Sequence, residues 1–233
     1  MTKHASPGIQ VSARPPGEFV SGLSRSLLVL LVFALVLPTG LVAIGEGVGT
    51  LKLPYNLHIV DLRLPVIFKL HMLASGLALL LIPLAIGLRR DQSLHRLAGR
   101  LAAVSVVAGG LTAFPVALSS DSVAVARAGF LAQGLVWLWL IGAGVRAVRA
   151  RRIADHARFM VMMAAVASGA IWVRLITAAA VATELPFEIV YGAAAWLGWL
   201  VPLAIARALP ASHVMRLPAF RAHGATPVSA QSV

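Results

Sequence analysis

The sequence predicts an all-α protein, a polytopic membrane helix bundle of six transmembrane helices with both termini in the cytoplasm. Three observations carry this expectation. The 233 residues are 59% hydrophobic and 12% charged, with a mean hydropathy of +0.89; water-soluble domains hold about 25% charged residues. Six stretches are long enough to cross a hydrocarbon core, which takes about 20 mostly apolar residues. The basic residues fall between those stretches rather than on one face of a soluble domain, as membrane-flanking anchors do. Distributed this way, the net charge of +12 points to a lipid bilayer as partner and not to nucleic acid.

Residues 1–24 mix Pro, Gly, Ser and charge without periodicity and are expected as a disordered cytoplasmic tail. The first apolar run, 27–45, is uncharged. It is long for a signal-sequence core and no small-residue cleavage site follows, so it is expected to stay as a helix. The second run, 70–88, has His71 as its one ionisable group, while 101–120 and 128–145 have none. The fifth, 159–183, is interrupted only by Arg174, and the sixth, 189–206, starts near Phe187. Residues 210–233 resemble the first tail in composition, which leaves 25–209 as one transmembrane domain. Backbone groups in lipid must be satisfied within the chain, so runs of this length are read as helices, with Pro38, Pro83, Pro115 and Pro202 as tolerated kink sites. Small-residue runs such as "VVAGG", "AAVASGA" and "YGAAAW" let helix backbones approach closely.

Orientation follows from the loops. Fifteen of the 20 Lys and Arg residues lie in the tails and in the loops after the second and fourth helices. Lys52, Arg63, Lys69 and Arg127 lie on the opposite side, and Arg174 lies within a span. The positive-inside rule then puts both termini in the cytoplasm.

Several chemistries are excluded. The absence of cysteine removes disulfides, thiolate metal sites and cysteine nucleophiles. There is no phosphate-cradling glycine loop, no H-E-x-x-H and no nucleophile elbow, and no helix pairs two carboxylates inside the membrane. No metal site is expected, and whether the protein is an enzyme is left open.

Two sites are left. "SLHRLAGR" (93–100) and "ADHARFM" (154–160) each set a histidine beside arginine at the cytoplasmic mouth of a helix, so His95 and His156 lie at similar depth. Two facing neutral imidazoles can ligate b-type haem from either side, with the arginines on its propionates. The competing reading is that these residues are interface anchors. His95 precedes its uncharged run by six residues, about 9 Å of helix, which is shallow for a buried haem.

The outer half carries the second site. A guanidinium within a span is costly and faces a cavity or a partner, which singles out Arg174. His71, Gln133 and Tyr191 reach a similar depth on three other helices, with Glu188, Glu184, Asp61 and His58 above them in the outer loops. The expected ligand pocket is His71, Gln133, Arg174, Tyr191 and Glu188; the competing reading pairs Arg174 with Glu188 as structural glue. His71 is also a candidate outer haem ligand, although no histidine on the later helices faces it.

The segments "KLHMLASGLALL" (69–80), "LHRLAGRL" (94–101), "GFLAQGLVW" (129–137), "DHARFM" (155–160), "WVRL" (172–175) and "YGAAAWLGW" (191–199) occur in an order and spacing that carry a resemblance. Over about residues 65–207 the chain resembles the bacterial membrane-protein family catalogued as domain of unknown function 2306. The resemblance implies a multi-pass integral fold in the bacterial cytoplasmic (inner) membrane, with no assigned activity. It points to His71, His95, Arg96, Gly99, Arg100, His156, Met160 and Arg174. Phe159 stands where that family commonly has Trp, and Met162 where a further Arg is common, which thins the basic cluster beside His156. Two function classes follow: a membrane redox protein binding haem b or quinone between helices, or a transporter or small anionic-ligand binder using the outer pocket. A non-catalytic accessory subunit is the third, and oligomeric state is not legible.

Overall fold

The computed structural model describes residues 16–210 and Val214, with the side chains of 16–29, 31 and 32 left aside. Most of both expected tails lies outside the described residues. Among the described residues eight helices follow in order: α1 (Pro16–Val48), α2 (Tyr55–Arg63), α3 (Pro65–Gly87), α4 (Gln92–Ser119), α5 (Ala124–Arg149), α6 (Ile153–Ala167), α7 (Gly169–Ala182) and α8 (Phe187–Ala208). No strand occurs among the described residues, so the all-α expectation stands. The chain divides into two compact units, residues 1–34 and 35–233. In the first, the described residues are the opening turns of α1; the second holds the bundle.

Among the described residues five helical segments are long and apolar enough to span a membrane: Pro65–Gly87, Gln92–Ser119, Ala124–Arg149, Ile153–Ala182 and Phe187–Ala208. The sixth apolar segment, Phe33–Val48, is shorter. The structure differs from the expected run of elements in three places. The loop before the second span contains α2. The first span continues one turn beyond Gly45 to Val48, which brings Glu46 into the helix. The fifth span is broken at Ser168 into α6 and α7.

That break is held by side chains. The Ser168 hydroxyl donates to Ala165 O at 2.7 Å, and Gln133 Nε2, from α5, donates to Val166 O at 2.9 Å. Two carbonyls of the last turn of α6 are thereby met, as a helix end in lipid requires. In the loop before α4, Asp91 caps that helix, accepting from the Ser93 and Leu94 backbone N–H groups at 3.0 Å each. The Ser93 hydroxyl, then those N–H groups, hold this carboxyl below its ordinary range.

The core draws on six helices: Leu79 and Ile82 from α3, Val106 from α4, Leu140 and Ile141 from α5, Met163 and Val166 from α6, Ile171 from α7 and Trp199 from α8. Outward faces stay apolar, as on α4, where Leu97, Leu101, Val104, Leu111 and Leu118 form an exposed stripe at helical spacing. In a chain with these spans the stripe faces lipid.

Glycines set the closest approaches. A Cβ on Gly76 would lie 2.9 Å from the Gly40 carbonyl oxygen and 3.0 Å from Ile44 Cγ1. Since backbone cannot swing aside, Gly76→Leu is expected to force α1 and α3 apart at about 1–3 kcal/mol. Gly99→Ala, where a Cβ meets nothing within 4 Å, is expected to be neutral. Thermal unfolding of the two purified variants in one detergent checks the contrast.

Candidate functional site

At the α2 end of the bundle lies a cavity of about 420 Å³, between α3, α4, α5, α7 and α8, beneath α2 and beside the last turn of α1. Ligand pockets run to about 300–1,000 Å³. His71, Gln133, Arg174 and Tyr191 all line it, so four helices deliver the residues expected at one depth. Glu188 does not. It lines a neighbouring cavity of about 90 Å³ together with Asp121, Ser122 and Tyr191.

His71 sits in the second turn of α3, with Nδ1 3.0 Å from Gly109 O of α4. The Nδ1–H donates to that carbonyl, which leaves the lone pair on Nε2. Gln133 is spent in part on the helix break, and Gly169 makes room for it, since a Cβ there would lie 2.6 Å from Gln133 Nε2. The Tyr191 ring stacks on Phe187 at 5.4 Å and 13°, with Phe130 at 5.7 Å. Aromatic rings thus wall the cavity near α8.

Arg174 donates from Nη1 to Ala170 O at 3.1 Å, and its Nη2 lies 3.8 Å from Glu46 Oε2. The ion-pair partner is therefore Glu46 and not Glu188. Glu46 is 7% exposed and Arg174 41%. The sequence reading missed Glu46 because the apolar run was closed at Gly45; the signal was "IGEGVG", a carboxylate one position beyond an uncharged span. At 3.8 Å the contact is longer than a hydrogen bond, and Glu46 Oε2 is buried with no hydrogen-bond partner, as are Ser75 Oγ and Trp137 Nε1, which also line the cavity.

The roof is pinned from α2. Arg63 donates from Nη1 and Nη2 to the two Asp121 carboxylate oxygens at 2.7 and 2.9 Å, and from Nη1 to Ser119 O. Hydrogen bonding to Arg63 holds the Asp121 carboxyl below its ordinary range. A depressed carboxyl stabilises the fold above its unfolded pKa, and that contribution fades as pH falls through the folded value. Both side chains are exposed, so the effect is small.

At the other end of the bundle, His95 in the first turn of α4 and His156 in the first turn of α6 come together. Their ring centroids are 6.5 Å apart and their planes 84° to one another. His95 Nδ1 is 2.8 Å from Ala85 O of α3, and His156 Nδ1 is 3.0 Å from Gly144 O of α5. Each Nδ1–H donates to a carbonyl of another helix, leaving Nε2 as the basic nitrogen of each ring. The two rings meet although α4 and α6 do not pack directly against one another. The arginines are less concentrated than the motifs suggested, since Arg158 donates from Nη2 to Arg207 O at 3.2 Å. His71 does not join this pair. It lies 14 residues before Ala85 on α3, about 21 Å along the axis. Among the described residues no cluster of three or more His, Cys, Asp or Glu could hold a metal ion.

Apolar spans, a lipid-compatible surface and polar groups gathered at the two ends define an integral membrane helix bundle. The family model described as "Predicted membrane protein (DUF2306)" matches residues 68–209, and the chain belongs to that family. The match takes in α3 to α8 and leaves Glu46 outside it. No curated protein and no solved structure matches the chain.

Proposed function

We propose that this is a redox protein of the bacterial inner membrane that holds b-type haem between α4 and α6 through His95 and His156. The observation that carries the reading is the 6.5 Å separation of two perpendicular rings. With Nδ1 of each ring engaged by a backbone carbonyl, the Nε2 atoms of His95 and His156 are the nitrogens that would hold the iron. Ligating histidines commonly donate their second N–H to a carbonyl, which fixes tautomer and orientation; Ala85 and Gly144 supply those carbonyls. The donor set is thus suited to haem iron, and Arg96 and Arg100 lie on the same helix as His95 for propionates. When bound, the haem would supply one-electron exchange. The chain's contribution is to present two imidazoles and to hold them against rotation. Haem stoichiometric with the purified chain is the expected result, and protein purified from haem-replete cells without pigment refutes it.

The transporter or small-ligand reading is favoured by one specific observation, the break at Ser168 beside the α2-end cavity, since substrate sites in transporters lie at discontinuous helices. Its anionic form is weakened by Glu46, which meets the charge of Arg174. For orientation, the basic residues support cytoplasmic termini. Reporter fusions at residue 230 and beside Asp121 are expected to give opposite readings, the first cytoplasmic. A periplasmic C-terminus reverses the assignment.

A further inference from the structure

We propose that the α2-end cavity binds a neutral aromatic ring bearing hydroxyl or carbonyl oxygens, the chemistry of a quinol headgroup. The argument begins with charge. Arg174 alone would recruit an anion, but Glu46 sits 3.8 Å away and 7% exposed, so the pair presents no net charge and leaves an anionic ligand no uncompensated cation to bind. Next comes the set of unmet groups. Glu46 Oε2 lacks a donor and Trp137 Nε1–H lacks an acceptor, while Ser75 Oγ can serve as either. His71, on the cavity wall, adds a further acceptor in Nε2, its tautomer fixed by Gly109 O.

A buried polar group left without a partner costs about 1–3 kcal/mol. Glu46 and Trp137, the residues carrying an unmet acceptor and an unmet donor, both line this one chamber, and a ligand carrying both O–H and oxygen lone pairs satisfies them together once these side chains turn towards it. Carboxylates offer acceptors alone, and phosphates bring negative charge to a site whose cation is already paired. The walls set the rest of the ligand: Phe68, Phe130, Trp137 and Phe187 face the same space, and flat rings suit a flat apolar body. The volume of about 420 Å³ holds one such ring with substituents. The inference rests on this cavity and not on haem at the other end.

The test is equilibrium dialysis of the purified full-length protein with anaerobic trimethylhydroquinone, beside His71→Leu, Glu46→Gln and the sterically mild Ser75→Ala. Saturable binding by the parent is expected, weakened about tenfold by His71→Leu or Glu46→Gln, the loss of about one good hydrogen bond. Ser75→Ala is expected to weaken it less without lowering the melting temperature, which separates recognition from folding. Benzoate and inorganic phosphate are expected not to compete. A prenylated quinol in vesicles competing with the tail-less probe marks the membrane pool as source, and failure to compete marks a free phenolic compound; both keep the ring chemistry. Uptake equal in parent and all variants is detergent partition and overturns the proposal, as does displacement by either anion. The haem absorbance of the same samples is read separately and changes in neither case.

Discussion

Replacing Arg174 with leucine is expected to let the chain insert normally and yet lower its melting temperature in detergent by several degrees. A guanidinium at the centre of a span costs about 2.5–3.5 kcal/mol on insertion scales, and less towards the interface. Taken alone, leucine should therefore help. What reverses the sign is Glu46. Its carboxylate is buried, Oε2 has no hydrogen bond, and Arg174 is the cation beside it. Removing the guanidinium strands that carboxylate at about 1–3 kcal/mol, reduced because Arg174 is itself partly exposed. At this chain length each kcal/mol moves the midpoint by about 2–4 °C. Arg174→Lys is expected to recover only part, since lysine keeps the charge and loses the planar fork that also reaches Ala170 O. The double variant Glu46→Gln with Arg174→Leu is expected to regain most of the loss. A single leucine variant as stable as the parent would show that Arg174 lies idle.

His95→Ala and His156→Ala are each expected to cut haem content by at least about tenfold, the range seen even for partners one shell further out. His71→Ala should leave it intact. The single substitutions are informative because the two rings come from different helices and are held by carbonyls of two others, α3 and α5. Removing one imidazole leaves the other correctly turned but gives the iron one protein ligand. Both residues are partly exposed at a helix mouth, so alanine opens no core cavity and the melting profile of the haem-free protein should change little. Loss of pigment with an unchanged fold distinguishes ligation from packing. If haem survives both substitutions, the pair is an anchor at the membrane face and nothing more.

Much of the bundle was legible because lipid leaves the chain few alternatives: long apolar runs must close their own hydrogen bonds, and α3, α4, α5 and α8 do. The convergence of His71, Gln133, Arg174 and Tyr191 was legible from depth alone, since helices of known direction put equal residue offsets at equal heights. The His95–His156 meeting was legible for the same reason. Other features were not. The break at Ser168 lies in a run that stays apolar on both sides, and the groups that stabilise it, Gln133 above all, come from another helix. Glu46 was lost because apolarity ends before the helix does, and Glu188 was misplaced by proximity in sequence, because the chain turn at Pro186 starts α8 with Glu188 facing the smaller cavity. Helix α2 has little apolar periodicity, and it is held by Arg63 reaching Asp121 across 58 residues, a contact no local pattern announces.

The most direct measurement is the absorption spectrum of protein purified from haem-replete cells, recorded oxidised and then reduced with dithionite. Ligation by His95 and His156 predicts a Soret band that shifts on reduction and a sharpened α-band, with haem stoichiometric to the chain. A folded, monodisperse preparation that is colourless in both states would contradict it.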